Sequence, residues 1–166
     1  MIARAIIACL VVVGCSTYYT IGNNVQVRYG SWRGNHCAAD RGPQISEIIA
    51  LIHDKASELS IVRQWPPKKL DICLVDRSPF AVCGSVVLGG CAWPDRVFVP
   101  LSLAETLDSA KLRKNYVWQN QLAHEIVGAL TLQGVLILPL PESALVQSAG
   151  YKAILEYVRE NIENQD

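Results

Sequence analysis

The residues of this 166-residue chain best suited to chemistry fall in one stretch, Gln121-Leu-Ala-His124-Glu125-Ile-Val-Gly128. An imidazole beside a carboxylate is raw material for metal-assisted hydrolysis. The imidazole can ligate an ion, and the carboxylate can take the proton of ion-bound water. Residues four apart on a helix share a face, so a second imidazole for the same ion belongs at position 128. Glycine stands there instead. A glycine inside a helix costs about 1 kcal/mol relative to alanine. One reading of Gly128 is therefore close packing of another element, with His124 an ordinary hydrogen-bonded core histidine. The remaining histidines offer less. His36 falls in a stretch expected to be loop, and His53 within an expected helix, as a partly exposed or core-edge side chain.

The stretch resembles the metal-binding helix of the zincin metallopeptidases, whose pattern is His-Glu-x-x-His, with Gly128 in place of the second histidine. The resemblance implies His124 as a zinc ligand and Glu125 as the base. In the gluzincin branch the third ligand is a glutamate on the following helix. Pro139-Leu-Pro-Glu142-Ser-Ala-Leu-Val resembles the segment that carries it, which makes Glu142 the candidate. The family also has an edge strand before the metal helix that binds the substrate backbone, and residues 96–100 are placed for that role. Motif-level similarity covers residues 122–145 only. With two of three ligands, weak zinc binding or none is expected. Losing even a hydrogen bond that supports a ligand costs ~10–100-fold in metal affinity.

The elements that must position these residues follow from pattern. Residues 25–29 alternate and predict a strand, and the Gly-, Asn- and Asp-rich residues 30–42 predict a loop. Ile45, Ile48, Ile49, Ile52, Ala56 and Leu59 recur at helical spacing, so residues 43–62 predict an amphipathic helix with Pro43 in its first turn, stopped by Trp65-Pro66-Pro67. Residues 70–76 read as a buried strand, 84–90 as a turn or bulge, and 96–100 as a strand at an edge or ended by Pro100. Helix is predicted from about residue 103, over 113–132, and over 142–161 with an interruption at Gly150. Trp93-Pro94-Asp95 reads as a turn with one packed tryptophan, and Trp32-Arg33 as solvated loop. The order predicts an α+β single domain: a small mixed or antiparallel sheet with an edge strand, an N-terminal helix and two C-terminal helices.

The N-terminus sets the compartment. Arg4 precedes an apolar run over residues 5–14, the layout of a secretory signal and too short to span a bilayer. Val12-Val13-Gly14-Cys15 resembles the lipobox of bacterial lipoproteins. That resemblance implies loss of residues 1–14, lipid on Cys15, a lipidated tether over 15–24 and a domain over 25–166. Ser16 rather than aspartate follows the cysteine, which points to the periplasmic side of the outer membrane in a Gram-negative cell. Cys37, Cys73, Cys83 and Cys91 remain, an even number that favours disulfides in an exported chain. Of three possible pairings, the short glycine-rich loop favours Cys83–Cys91, leaving Cys37–Cys73.

Basic and acidic residues number 15 each, with no basic cluster, so nucleic acid is not an expected partner. The expected function is an exported, membrane-anchored, zincin-like protein with catalysis lost or impaired. The alternatives are an envelope lipoprotein binding a peptide or protein partner, and a structural envelope lipoprotein unrelated to peptidases.

Overall fold

Two sequence patterns build the sheet. Val25 and Val27 alternate with polar residues and point to one buried face, while Leu70-Asp-Ile-Cys-Leu-Val75 is buried at every position, as a central strand is. The computed structural model describes residues 17–20, 24–38, 41–75, 90–101 and 117–163. These form β1 (Thr17–Thr20), β2 (Val25–Trp32), β3 (Asn35–Cys37), α1 (Gly42–Glu58), β4 (Leu70–Val75), β5 (Cys91–Trp93), β6 (Arg96–Pro100), α2 (Val117–Leu132), α3 (Glu142–Leu145) and α4 (Ala149–Glu163). The fold is α+β, as expected, with a mixed sheet and two C-terminal helices joined through the short α3.

β2, β4 and β6 run parallel, with Val25 opposite Leu70 and Ile72 opposite Val97. β1 is antiparallel to β2, and β5 is antiparallel to β6. β3 folds back on β2 and meets the end of β4, where Cys37 lies opposite Val75. The parallel β2–β4 pair is joined through α1, whose buried Ile45, Ile48, Ile49, Ile52 and Ala56 are the stripe predicted from spacing. That face of the sheet, with Ile72, Leu74, Val97 and Val99, packs with α1, α2 and α4 into the main core. The opposite face carries a second cluster of Cys37, Cys73, Val75 and Phe98. There Phe98 stacks on Trp32 (centroids 4.9 Å apart) and meets Trp93 edge-on (6.0 Å). The expected Cys37–Cys73 disulfide is present and lies on this face. Cys91 is disulfide-bonded as well, and its expected partner, Cys83, is outside the described residues. Among the described residues no helix is long and apolar enough to cross a membrane.

Four expectations change. Residues 96–100 are not the edge: β6 lies between β4 and β5, and β5 is the outer strand on that side among the described residues. Pro100 misleads because it ends the strand, where a missing N–H is tolerated. Val97, Phe98 and Val99 are all fully buried, as suits an interior strand. The stretch expected as loop contains β3, because Arg33 and Gly34 both take positive φ (49° and 80°) and close a two-residue hairpin between Trp32 and Asn35. Part of the expected tether, Thr17–Thr20, is a paired strand, its backbone bonds completed by β2. Finally, the break in the last helix falls between Leu145 and Ala149 rather than at Gly150, which sits within α4. Two stretches expected to be structured, residues 84–89 and the helix beginning near 103, lie outside the described residues.

Candidate functional site

α2 is anchored by the side chains it buries, Leu122, Ala123, Ile126, Val127, Ala129 and Leu130. Gln121, His124, Glu125, Gly128 and Leu132 recur at three- and four-residue spacing and so share one flank of the helix. From His124 onward that flank lines a cleft of about 720 Å³. Gly90, Cys91 and Ala92, at the start of β5, form one wall. The other comes from Leu140, Pro141, Glu142 and Leu145. This second wall is held by backbone bonds just before it: Arg63 N–H donates to Val135 O and Ile137 N–H to Ile61 O, each 2.8 Å.

Three residues singled out from sequence meet at this cleft. His124 Nε2 lies 3.4 Å from Glu142 Oε1 and 4.0 Å from Glu125 Oε1. Glu125 Oε1 accepts a 2.7 Å hydrogen bond from Gln121 Nε2, one turn earlier. Burial pushes the Glu125 carboxyl up to about 7; the Gln121 hydrogen bond opposes the rise, and the charge of Glu142 adds to it. Glu142, the first residue of α3, stays largely exposed at the rim. Gly128 borders the same cleft, one turn beyond His124. A Cβ built on Gly128 meets only the Ala92 Cβ, at 3.9 Å. Among the described residues no element packs close enough to require glycine there.

Two further residues of the site were not singled out from sequence. Tyr151, from α4, hydrogen-bonds its hydroxyl to His124 Nδ1, with the two rings edge to face. Burial, then the charges of Glu125 and Glu142, push the tyrosine hydroxyl up to about 12. A signal existed: Tyr151, Ile154 and Val158 share the buried stripe of α4, and a tyrosine on an apolar stripe needs a partner for its hydroxyl. Gly90 is the other. A Cβ there would lie 2.8 Å from Glu125 Oε1 and 2.9 Å from Phe98 O, at a φ of +144°, so glycine alone lets the chain pass the Glu125 carboxyl this closely.

The remaining histidines stand apart from the cleft. His36 is on β3. His53 is on α1, its ring against Trp65 (4.3 Å) and near the Ser57 hydroxyl (3.5 Å). The turn at Pro94-Asp95 with a packed Trp93 is as expected.

Two ligands of one tetrahedral zinc, each about 2.0–2.1 Å from it, are themselves roughly 3.3 Å apart. His124 Nε2 and Glu142 Oε1 have nearly that separation. A catalytic zinc takes three protein ligands, however, and Gly128, the residue one turn beyond His124 on the same flank, has no side chain to donate. Among the described residues no group of three or more His, Cys, Asp or Glu side chains is arranged to hold a metal ion. The described residues therefore supply two donors at ligand spacing, His124 and Glu142. Without a metal the cleft offers a carboxyl that titrates near neutrality, an imidazole oriented by a tyrosine, and an open space at Gly128. Comparisons with protein-family models, with curated proteins and with solved structures find no match for this chain.

Proposed function

We propose that this chain is an exported, lipid-anchored protein of zincin-metallopeptidase type whose zinc site is incomplete, with peptidase activity lost or strongly impaired. The observation that carries the reading is the meeting of His124, Glu125 and Glu142 in one cleft, with Gly128 on the same flank of α2 and an antiparallel strand, β5, alongside. His124 and Glu142 are the remaining ligands, and Glu125 is the carboxylate that would serve as base. Zinc binding is weak or absent because Gly128 contributes no donor.

The test measures bound zinc and peptide hydrolysis in the wild-type chain and in Gly128→His. The expected result is sub-stoichiometric zinc in the wild type and about one zinc per chain in the variant, since a completed tetrahedral set restores affinity. Failure of both to hold zinc would remove the zincin reading. A wild type that is fully loaded and hydrolyses peptides would overturn the claim of an incomplete site.

A second reading, a non-catalytic envelope lipoprotein that holds a peptide or protein partner, is favoured by the exposed Leu132 and Leu140 on the cleft wall. Both readings share an oxidising compartment, which the Cys37–Cys73 disulfide supports. Both also place the chain at the membrane through lipid on Cys15. Cys15→Ser should move the protein from the membrane to the soluble fraction on cell fractionation, and unchanged membrane association would refute the anchor.

A further inference from the structure

We propose that the cleft receives a lysine or arginine side chain of a partner polypeptide, its cationic head beside Glu125 and Glu142 in the space left at Gly128, and its apolar neighbours against Leu132 and Leu140. The proposal rests on the reading of the cleft as metal-free.

Charge complementarity selects the occupant. Two carboxylates face one end of the cleft, both within 4.0 Å of His124 Nε2, and none of the described residues lining it is a lysine or an arginine. Glu125 is held there by Gln121 and by the close pass of Gly90, so it cannot swing out to solvent without disturbing its hydrogen bond. The one cationic candidate among the described lining residues, His124, is shared between both acids, so a further cation supplied from outside lowers the cost of keeping them charged. Space for it lies beside Gly128, where among the described residues only Ala92 comes within 4 Å of a Cβ.

The walls say which kind of cation. The large apolar side chains exposed among the described residues are Leu132 (45%), Ile137 (60%) and Leu140 (52%). Two of these line the cleft, and Ile137 lies three residues before the third lining segment begins. A bare metal ion gains nothing from such a rim. A basic side chain has an apolar stem below its charged head and matches both parts of the cleft. A small amine would leave the exposed Leu132 and Leu140 uncovered, and a polypeptide would cover them.

The experiment uses the full chain in detergent with EDTA present. Binding of the blocked pentapeptide Ala-Leu-Lys-Leu-Ala is compared with that of the same peptide carrying norleucine for lysine, and with n-butylamine, by titration of amide NMR shifts. The lysine peptide is expected to bind at least tenfold more tightly than either comparator. That preference should disappear in Glu125→Gln/Glu142→Gln, which keeps the shape of both side chains, and Gly128→Leu should block binding altogether. Equal affinity for the two peptides, no binding of either, or a lysine preference that survives the double substitution would overturn the proposal. Binding of n-butylamine as strong as that of the peptide would overturn its polypeptide part. Because EDTA is present throughout, the result is separate from the zinc content that tests the zincin reading: a zinc-loaded wild type sinks that reading, and a missing lysine preference sinks this one.

Discussion

Two acids in this molecule are equally hidden and differently treated. Asp71 and Glu125 are each 7% exposed. Asp71, on β4, receives Arg28 NH2 at 2.9 Å, with Lys69 Nζ 3.5 Å away, and Arg28 itself lies against the Trp32 ring. Glu125 has a neutral amide at 2.7 Å and another acid, Glu142, as its charged neighbour across His124. A buried acid that serves the fold comes with its cation, because the folded chain must bear the cost of desolvation alone. Glu125 has, among the described residues, only His124 at 4.0 Å as a possible cation, and His124 is shared with Glu142.

The largest way to break the contrast is to make Asp71 resemble Glu125. Arg28→Met should cost about 3 kcal/mol, the order seen when one partner of a buried ion pair is removed, read as a lowered midpoint in urea at pH 7. An unchanged midpoint would mean that Lys69 alone compensates Asp71.

The next makes Glu125 neutral. Its carboxyl titrates near 4.5 when unperturbed and about 7 in the fold. Below the lower value it is protonated in both folded and unfolded chains and costs nothing. Between the two values the unfolded chain gives up its proton while the folded chain keeps it, so stability falls as pH rises from about 4.5 to about 7 and is level above that. Glu125→Gln should therefore stabilise the protein by about 2–3 kcal/mol at pH 8 and hardly at all at pH 4. Equal effects at the two pH values, in paired melts, would show that burial does not govern this group.

The smallest tests space without charge. Gly128→Ala should stabilise by about 0.5–1 kcal/mol, the helix-propensity difference, because its Cβ meets nothing closer than 3.9 Å. A loss of stability would mean that the opening at Gly128 is filled in solution.

What could be read from the sequence was local. α1 followed from the spacing of Ile45 to Ala56, and the buried β4 from its unbroken apolar run. His124 and Glu125 were legible as an adjacent pair, and Glu142 only through the likeness of its segment to that of the gluzincins. What failed depends on partners distant in sequence. Pro100 looked the same whether β6 lay at an edge or inside the sheet, and only its pairing with β4 on one side and β5 on the other decides that. β3 is three residues long and carries Asn35 and His36, so no alternation announces it. Its turn uses Arg33-Gly34 where asparagine-glycine would have been recognised. Tyr151 and Gly90 belong to the site through α4 and β5, and neither contact leaves a mark near residue 124.

The place of β1 has a consequence for how the domain stands. Thr17 follows Cys15 by two residues, a span of at most ~7 Å of chain. The sheet then steps from β1 through β2, β4 and β6 to β5, four strand spacings or roughly 19 Å. If Cys15 carries lipid, as proposed, β1 is the strand nearest the anchor, and β5 with its cleft is the strand four spacings from it across the sheet.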